Sequence, residues 1–167
     1  NYRVILVRAT QIAQLIGGQQ HQLNGLALAH FSDGILGALL LATQLKGAGV
    51  LSLEFDSDGP FDNYRCDATP LGLVRAMIPS STFEKINNWD GHEQLIGNGN
   101  LYIGKKIEGT NLPFNSILKL VANDLTSNIS NYLKKSEQIN GVISLCSIVV
   151  GNQVISNWKK LGLNVKL

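Results

Sequence analysis

The chain is 167 residues long, 44% apolar and only 16% charged, with a formal net charge of +2. That length supports one continuous core and is short for two, so residues 1–167 read as a single domain. The composition excludes a disordered chain, and the near-neutral balance leaves only a local basic patch as a route to nucleic acid.

Two cysteines, Cys66 and Cys146, lie far apart in strand-like runs and read as buried, reduced thiols. With no C-x-x-C or C-x-C, a cysteine zinc site within the chain is excluded. The first residue is Asn1 rather than Met, which a removed upstream segment would explain, a cleaved organelle-targeting segment being one form of it.

Tyr2 to Val7 is rich in branched residues and reads as a strand. Thr10 then caps a helix carrying Ile12, Leu15 and Ile16, which Gly17-Gly18 should stop. Leu23 to Lys46 is predicted as one long helix, with Leu28, Phe31, Ile35, Leu39 and Ala42 on one face and Leu36, Leu40 and Leu41 on the other. A helix apolar nearly all round should be buried nearly all round. Its most apolar run, Gly34 to Leu45, falls short of the ~20 residues a bilayer requires, so no membrane role is expected.

From Val50 the period changes to two. Leu51, Leu53 and Phe55 alternate with Ser52, Glu54 and Asp56, and a turn at Ser57-Asp58-Gly59-Pro60 leads to a return strand through Tyr64, Cys66 and Ala68. Leu73 to Ile78 reads as a third strand, Ser80 to Gly99 as a long loop with room for a short helix. Leu101 to Ile107 and Ser116 to Val121 form a further strand pair. Asp124 opens a helix whose Leu125, Ile129, Tyr132 and Leu133 share a face, with Lys134 and Lys135 favourably placed in its last turn. Val142 to Val150 and Gln153 to Leu167 read as strands joined at Gly151-Asn152. The expected fold is α+β: mostly antiparallel sheets packed around a long buried apolar helix.

Few residues suggest chemistry. His21, His30 and His92 do not pair at metal-ligand spacing, and there is no G-x-S-x-G elbow. Gly97-Asn98-Gly99 precedes a strand rather than a helix, so it reads as turn chemistry, as does Gly47-Ala48-Gly49. Asn128-Ile129-Ser130 matches a glycan acceptor but falls within a predicted helix. Lysines pair at Lys105-Lys106, Lys134-Lys135 and Lys159-Lys160; each pair reads first as a solvated face. Converging in space, they would form a salt-sensitive RNA or partner contact. These residues describe a non-enzymatic domain without a cofactor.

A wider pattern narrows this. Asp58-Gly59-Pro60 sits at a hairpin after an alternating strand, Val74-Arg75 follows, then Gly99-x-Leu101, Pro113-Phe114, and Tyr132 ahead of Ser136-Glu137-Gln138. Together with the apolar helix ending in Leu45-Lys46-Gly47, this order resembles the N-terminal domain of the redox-regulated 33-kDa heat-shock chaperone family, over residues 2 to 156. The resemblance implies the fold above, a holdase that works without ATP, unfolded clients as partners, and a homodimer as one assembly. The matching positions are Asp58, Gly59, Pro60, Arg75, Gly99, Pro113, Tyr132, Ser136, Glu137 and Gln138, read as structural.

The sequence also departs from the family. The family's zinc-binding cysteines, whose oxidation the resemblance links to exposure of the client surface, have no counterpart among these residues, and the linker and C-terminal zinc domain are expected to be absent. The Arg-Gly expected after the third strand is Arg75-Ala76, and paired glycines of the last strand give way around Asn157-Trp158. Two readings follow. One is a cytoplasmic chaperone module lacking the redox switch. The other is a structural subunit of a large assembly, such as an organellar ribosome in a mitochondrion or plastid, with the fold kept and the activity lost.

Overall fold

Alternating apolar residues put Leu51, Leu53 and Phe55 on the buried side of β1 (Gly49–Ser57) and Ser52 and Glu54 on the wetter side. In the computed structural model, which describes residues 3–89, 94–109 and 113–155, β1 is the centre of a five-stranded antiparallel sheet. Its partners are β2 (Asn63–Ala68), β3 (Val74–Met77), β4 (Gly99–Ile107) and β5 (Phe114–Lys119), in the order β3-β2-β1-β4-β5. Leu53 pairs with Cys66 on one side and Ile103 on the other, so the buried rows of three strands line up.

One face of this sheet carries α2 (Gly25–Ala42), on which Leu28, Phe31, Ile35, Ala38 and Ala42 are wholly buried. By length and composition α2 is apolar enough to cross a membrane, yet 61% of it is buried against the rest of the molecule, as a core helix should be. Tyr64 from β2 packs edge-on against Phe31, with ring centroids 5.4 Å apart, and stacks on Phe55 at 5.3 Å. Its ring lies against Gly34, where a Cβ would come within 2.4 Å of it, so only glycine lets α2 sit this close to the sheet. α4 (Leu125–Lys135) packs on α2 through Leu125 and Ile129, and Asp124 caps it by accepting from the Ser127 amide at 2.7 Å.

Several sequence expectations need correction. Residues 3–9 form no strand; Arg3 reaches the Thr43 carbonyl instead, while Tyr2 lies outside the described residues. Gly17-Gly18 does not stop the first helix. α1 (Thr10–Ala13) runs into a π-helical stretch, Gln14–Gln20, in which the bare face of Gly17 closes on Leu28 and Phe31. The long helix is shorter than predicted at both ends, because Gln22 takes positive φ before it, Gly25 does so as its first residue, and Thr43 ends it.

The predicted loop from Ser80 begins as a helix, α3 (Ser80–Asn87). Its Thr82 hydroxyl and Lys85 ammonium both bond Asp62 at the β1–β2 turn, a tertiary tie that overrides weak local propensity. The strand expected from Val142 pairs only as β6 (Ile148–Val150) with β7 (Gln153–Ile155). Upstream of it the chain is drawn to α4, where the Leu145 amide bonds the Thr126 hydroxyl at 3.3 Å. Cys66 is buried as expected, but Cys146 is exposed in that unpaired stretch.

Candidate functional site

The motif residues gather in two places. In the first, the Asp58-Gly59-Pro60 turn docks on the segment leading into β4. The Asp58 amide donates to the Asn98 carbonyl at 2.8 Å, the Gly59 amide to Ile96 at 3.1 Å and the Phe61 amide to Leu95 at 2.8 Å. The Asn98 amide returns a bond to the Asp58 carboxylate at 2.6 Å, which holds that carboxyl below its usual range. A Cβ on Gly59 would lie 2.4 Å from the Ile96 carbonyl, which explains the glycine there. Asn123, which no local signal marks, completes the junction by accepting from the Ile96 amide at 2.8 Å. Gly99 begins β4 opposite Ser57.

In the second, the end of α4 is tied to β4. The Tyr132 hydroxyl donates to the Glu137 carboxylate, the Lys105 ammonium lies 2.7 Å from the same oxygen, and that ammonium sits 5.7 Å from the centre of the Tyr132 ring. Burial opposes the charge on Glu137, but Lys105 and Tyr132 outweigh it and its pKa falls. Tyr132 is itself raised, first by burial and then by the carboxylate. Gln138 turns the chain with a φ of 55°, while Ser136 caps α4 and is exposed.

The remaining positions stay apart. Arg75 is exposed opposite Asp67, and Pro113 is exposed just before β5. Lys105 is committed to Glu137, whereas Lys106, Lys134 and Lys135 are exposed; Lys159 and Lys160, like His92, Asn157 and Trp158, lie outside the described residues. Asn128 is buried, accepting from the Val121 amide and donating to the Ala122 and Asp124 carbonyls.

What faces solvent is more apolar than the motif pattern suggests. On and beyond β5, Phe114 is 65% exposed, Ile117 66% and Val121 57%. At the β2–β3 turn Leu71 and Leu73 stand out beside Gly47-Ala48-Gly49, lining a groove of about 260 Å³. A further cavity of about 370 Å³ opens between residues 6–10, α2 and residues 144–148, with Leu36, Leu40 and Leu145 in its wall. Beneath it α2 carries His30 and Asp33, half-buried. Burial lowers the first pKa and raises the second, the nearby Ser147 side chain opposing that rise, and among the described residues His30 Nδ1 has no hydrogen-bond partner.

Among the described residues no group of three or more His, Cys, Asp or Glu is placed to hold a metal. The thiols do not fit zinc either: Cys66 is sealed inside β2, its pKa pushed by burial to about 12, and Cys146 is an isolated exposed thiol. The arrangement leaves large apolar side chains in water, while Asp58, Asp62 and Glu137 tie loops and helix ends to the sheet.

The family model described as Hsp33 protein matches residues 1–157. The chain belongs to the Hsp33 family. Curated Hsp33 relatives named 33 kDa chaperonin include that of Trichormus variabilis, 30% identical over 146 residues, covering 85% of this chain and 47% of that protein. Another, from Trichodesmium erythraeum, is 31% identical over 140 residues, covering 81% and 43%. The crystal structure of the 33 kDa chaperonin of Thermotoga maritima aligns with a TM-score of 0.72 at 21% identity, over 87% of this chain and 51% of that one. At that identity the match bears on the fold, and it is the α+β arrangement expected from the sequence. The chain spans about half the length of these relatives.

Proposed function

We propose that the domain is a holdase, binding unfolding polypeptide on its apolar surface without nucleotide and without chemistry. The observation that carries this reading is the set of large side chains left in water on a well-packed sheet, above all Phe114, Ile117, Leu71 and Leu73. Covering such side chains with the exposed apolar parts of a client releases about 25 cal/mol per Å², enough for reversible capture with no other energy source. The reading includes the absence of a thiol switch, since one thiol is sealed and unreactive and the other lacks a partner. Two free thiols also suit a reducing compartment, for which we propose the cytoplasm. A homodimer is compatible with this surface.

Light scattering of a heat-denatured test protein, with and without the purified chain, tests the reading. Suppression at near-stoichiometric ratios, unchanged between reductant and peroxide, is the expected result. No suppression would sink it, and suppression only after oxidation would sink its constitutive part. A structural subunit built on the lysine pairs has less support, because Lys105 is occupied by Glu137.

A further inference from the structure

The two strands at the ends of the sheet each have one side facing away from it, and the hydrogen-bond parity says which groups are there. The Leu120 amide donates to the Gly99 carbonyl at 3.0 Å, in the same register as the pairs Leu118–Leu101, Ser116–Ile103 and Phe114–Lys105. In an antiparallel ladder the bonded residues alternate, so Phe114, Ser116 and Leu118 spend their backbone groups on β4. Asn115, Ile117 and Lys119 therefore turn theirs outward, and among the described residues no backbone or side-chain partner meets them. Such a row of free donors and acceptors at two-residue spacing is matched by one kind of structure, another extended strand.

Resting on the client-binding reading above, we infer that the open edge of β5 is a strand-addition site for an extended segment of an unfolded client. The side chains around the edge suit such an occupant on both faces. On the solvent face Ile117 stands beside Tyr102, and a shallow cavity of about 390 Å³ runs over the bare backbone of Gly104 between them and Lys106. On the other face Phe114 lies exposed at the rim of the core. An added strand sets alternate side chains on these two faces, so a client stretch with apolar residues in either phase finds a contact. Main-chain pairing supplies affinity that does not depend on client sequence, as a holdase for many clients requires. Lys119 on the edge and Lys106 on the neighbouring strand favour client segments carrying carboxylates over basic ones.

The test uses a fluorescent peptide of about ten residues, alternating valine and threonine with one aspartate, long enough to cover β5. Its affinity is measured by anisotropy against the full chain, unmodified and with alternate amides N-methylated in either phase. Pairing with β5 predicts that one phase weakens binding about tenfold or more while the other leaves it nearly intact. The amides of Asn115, Ile117 and Lys119 should exchange quickly in the free chain and slowly with peptide bound. Ile117→Pro, which deletes an outward N–H and spares the ladder to β4, should weaken the peptide to a similar degree.

Equal loss from both N-methylation phases would overturn the inference, as would slow exchange of those amides before peptide is added, or full binding by a normally folded Ile117→Pro. If aggregation is suppressed while the phases behave alike, the edge is wrong and the holdase reading stands. If aggregation is not suppressed at all, the holdase reading itself fails.

Discussion

The same sheet ends in two different ways. On the β3 side the edge is four residues long, and parity from the Thr69–Leu73 bond turns Val74 and Ala76 outward. There the Ala76 carbonyl faces the His21 ring nitrogen Nε2 at 3.4 Å, and that ring also leans on Phe31 at a centroid distance of 5.3 Å. On the β5 side the edge is six residues long, both its faces are largely wet, and among the described residues no side chain bonds its outward groups. Natural sheets usually close, shorten or charge their edges because an open edge recruits other strands. One edge here follows that rule, and the other has only Pro113 and Lys119 at its ends. A free edge on an otherwise well-tied fold is the kind of exception that points to binding.

The largest effect should come from the parity itself. Ser116→Pro removes an amide aimed at β4 and should cost about 3 kcal/mol or more. Ile117→Pro removes one aimed at solvent and should cost far less. Urea unfolding of the two variants decides between them. Equal losses would mean that the outward row has been assigned to the wrong residues.

Each side of the sheet is also held by a charged tie, and the two ties differ in place. Asp62 binds Thr82 and Lys85 to fix α3 at the β1–β2 turn, while Glu137 binds Lys105 and Tyr132 to fix the end of α4 on β4, next to the open edge. Glu137→Ala leaves a mostly buried Lys105 without its partner and should cost about 1 kcal/mol or somewhat more. The sign with pH follows from the lowered pKa of Glu137. A carboxyl held below its unfolded value of 4.5 contributes stability above that value, and the contribution is lost as pH falls through the folded pKa. Glu137→Gln should therefore show a shallower loss of stability than the native chain as pH drops below 4.5. Identical acid profiles in thermal melts would remove Glu137 from the account.

On the closed side, His21→Ala should cost about 1 kcal/mol, from the lost bond to Ala76 and the lost contact with Phe31. It should also free the outward Ala76 carbonyl, read as a shift of its carbonyl carbon resonance. No change there would mean that the helix before it, rather than His21, shields β3.

How much of this was legible follows from range. Period-two alternation at Leu51, Leu53 and Phe55 and the all-round apolar pattern of α2 are local, and both elements formed, α2 shorter at each end than its apolar run. Tyr132 and Glu137 bond each other, and Lys105, read as a candidate RNA contact, is the third member of that junction. Nothing in Lys105-Lys106 says that one lysine turns inward to a glutamate 32 residues on, since 137 − 105 = 32. The short helix for which the Ser80 to Gly99 loop had room is α3, but its tie was hidden for the same reason, since Asp62 lies outside it in sequence. Edge openness is less local still, because it depends on which strands end the sheet and on what His21 happens to cover.

The smallest expected effect on stability is the sharpest test of the open edge. Ile117→Lys places a charge on a side chain already 66% in water, so the fold should change by about 0.5 kcal/mol or less. The same charge is the device by which natural edges refuse an incoming strand. With Lys106 and Lys119 nearby in the sheet it adds to an existing positive field, so the penalty should fall mainly on basic or apolar clients. Aggregation suppression should drop several-fold while the melting curve scarcely moves, and adding salt should restore part of it by screening. Unchanged suppression would mean that clients reach the molecule elsewhere, and the groove beside Leu71 and Leu73 would then be the next surface to substitute.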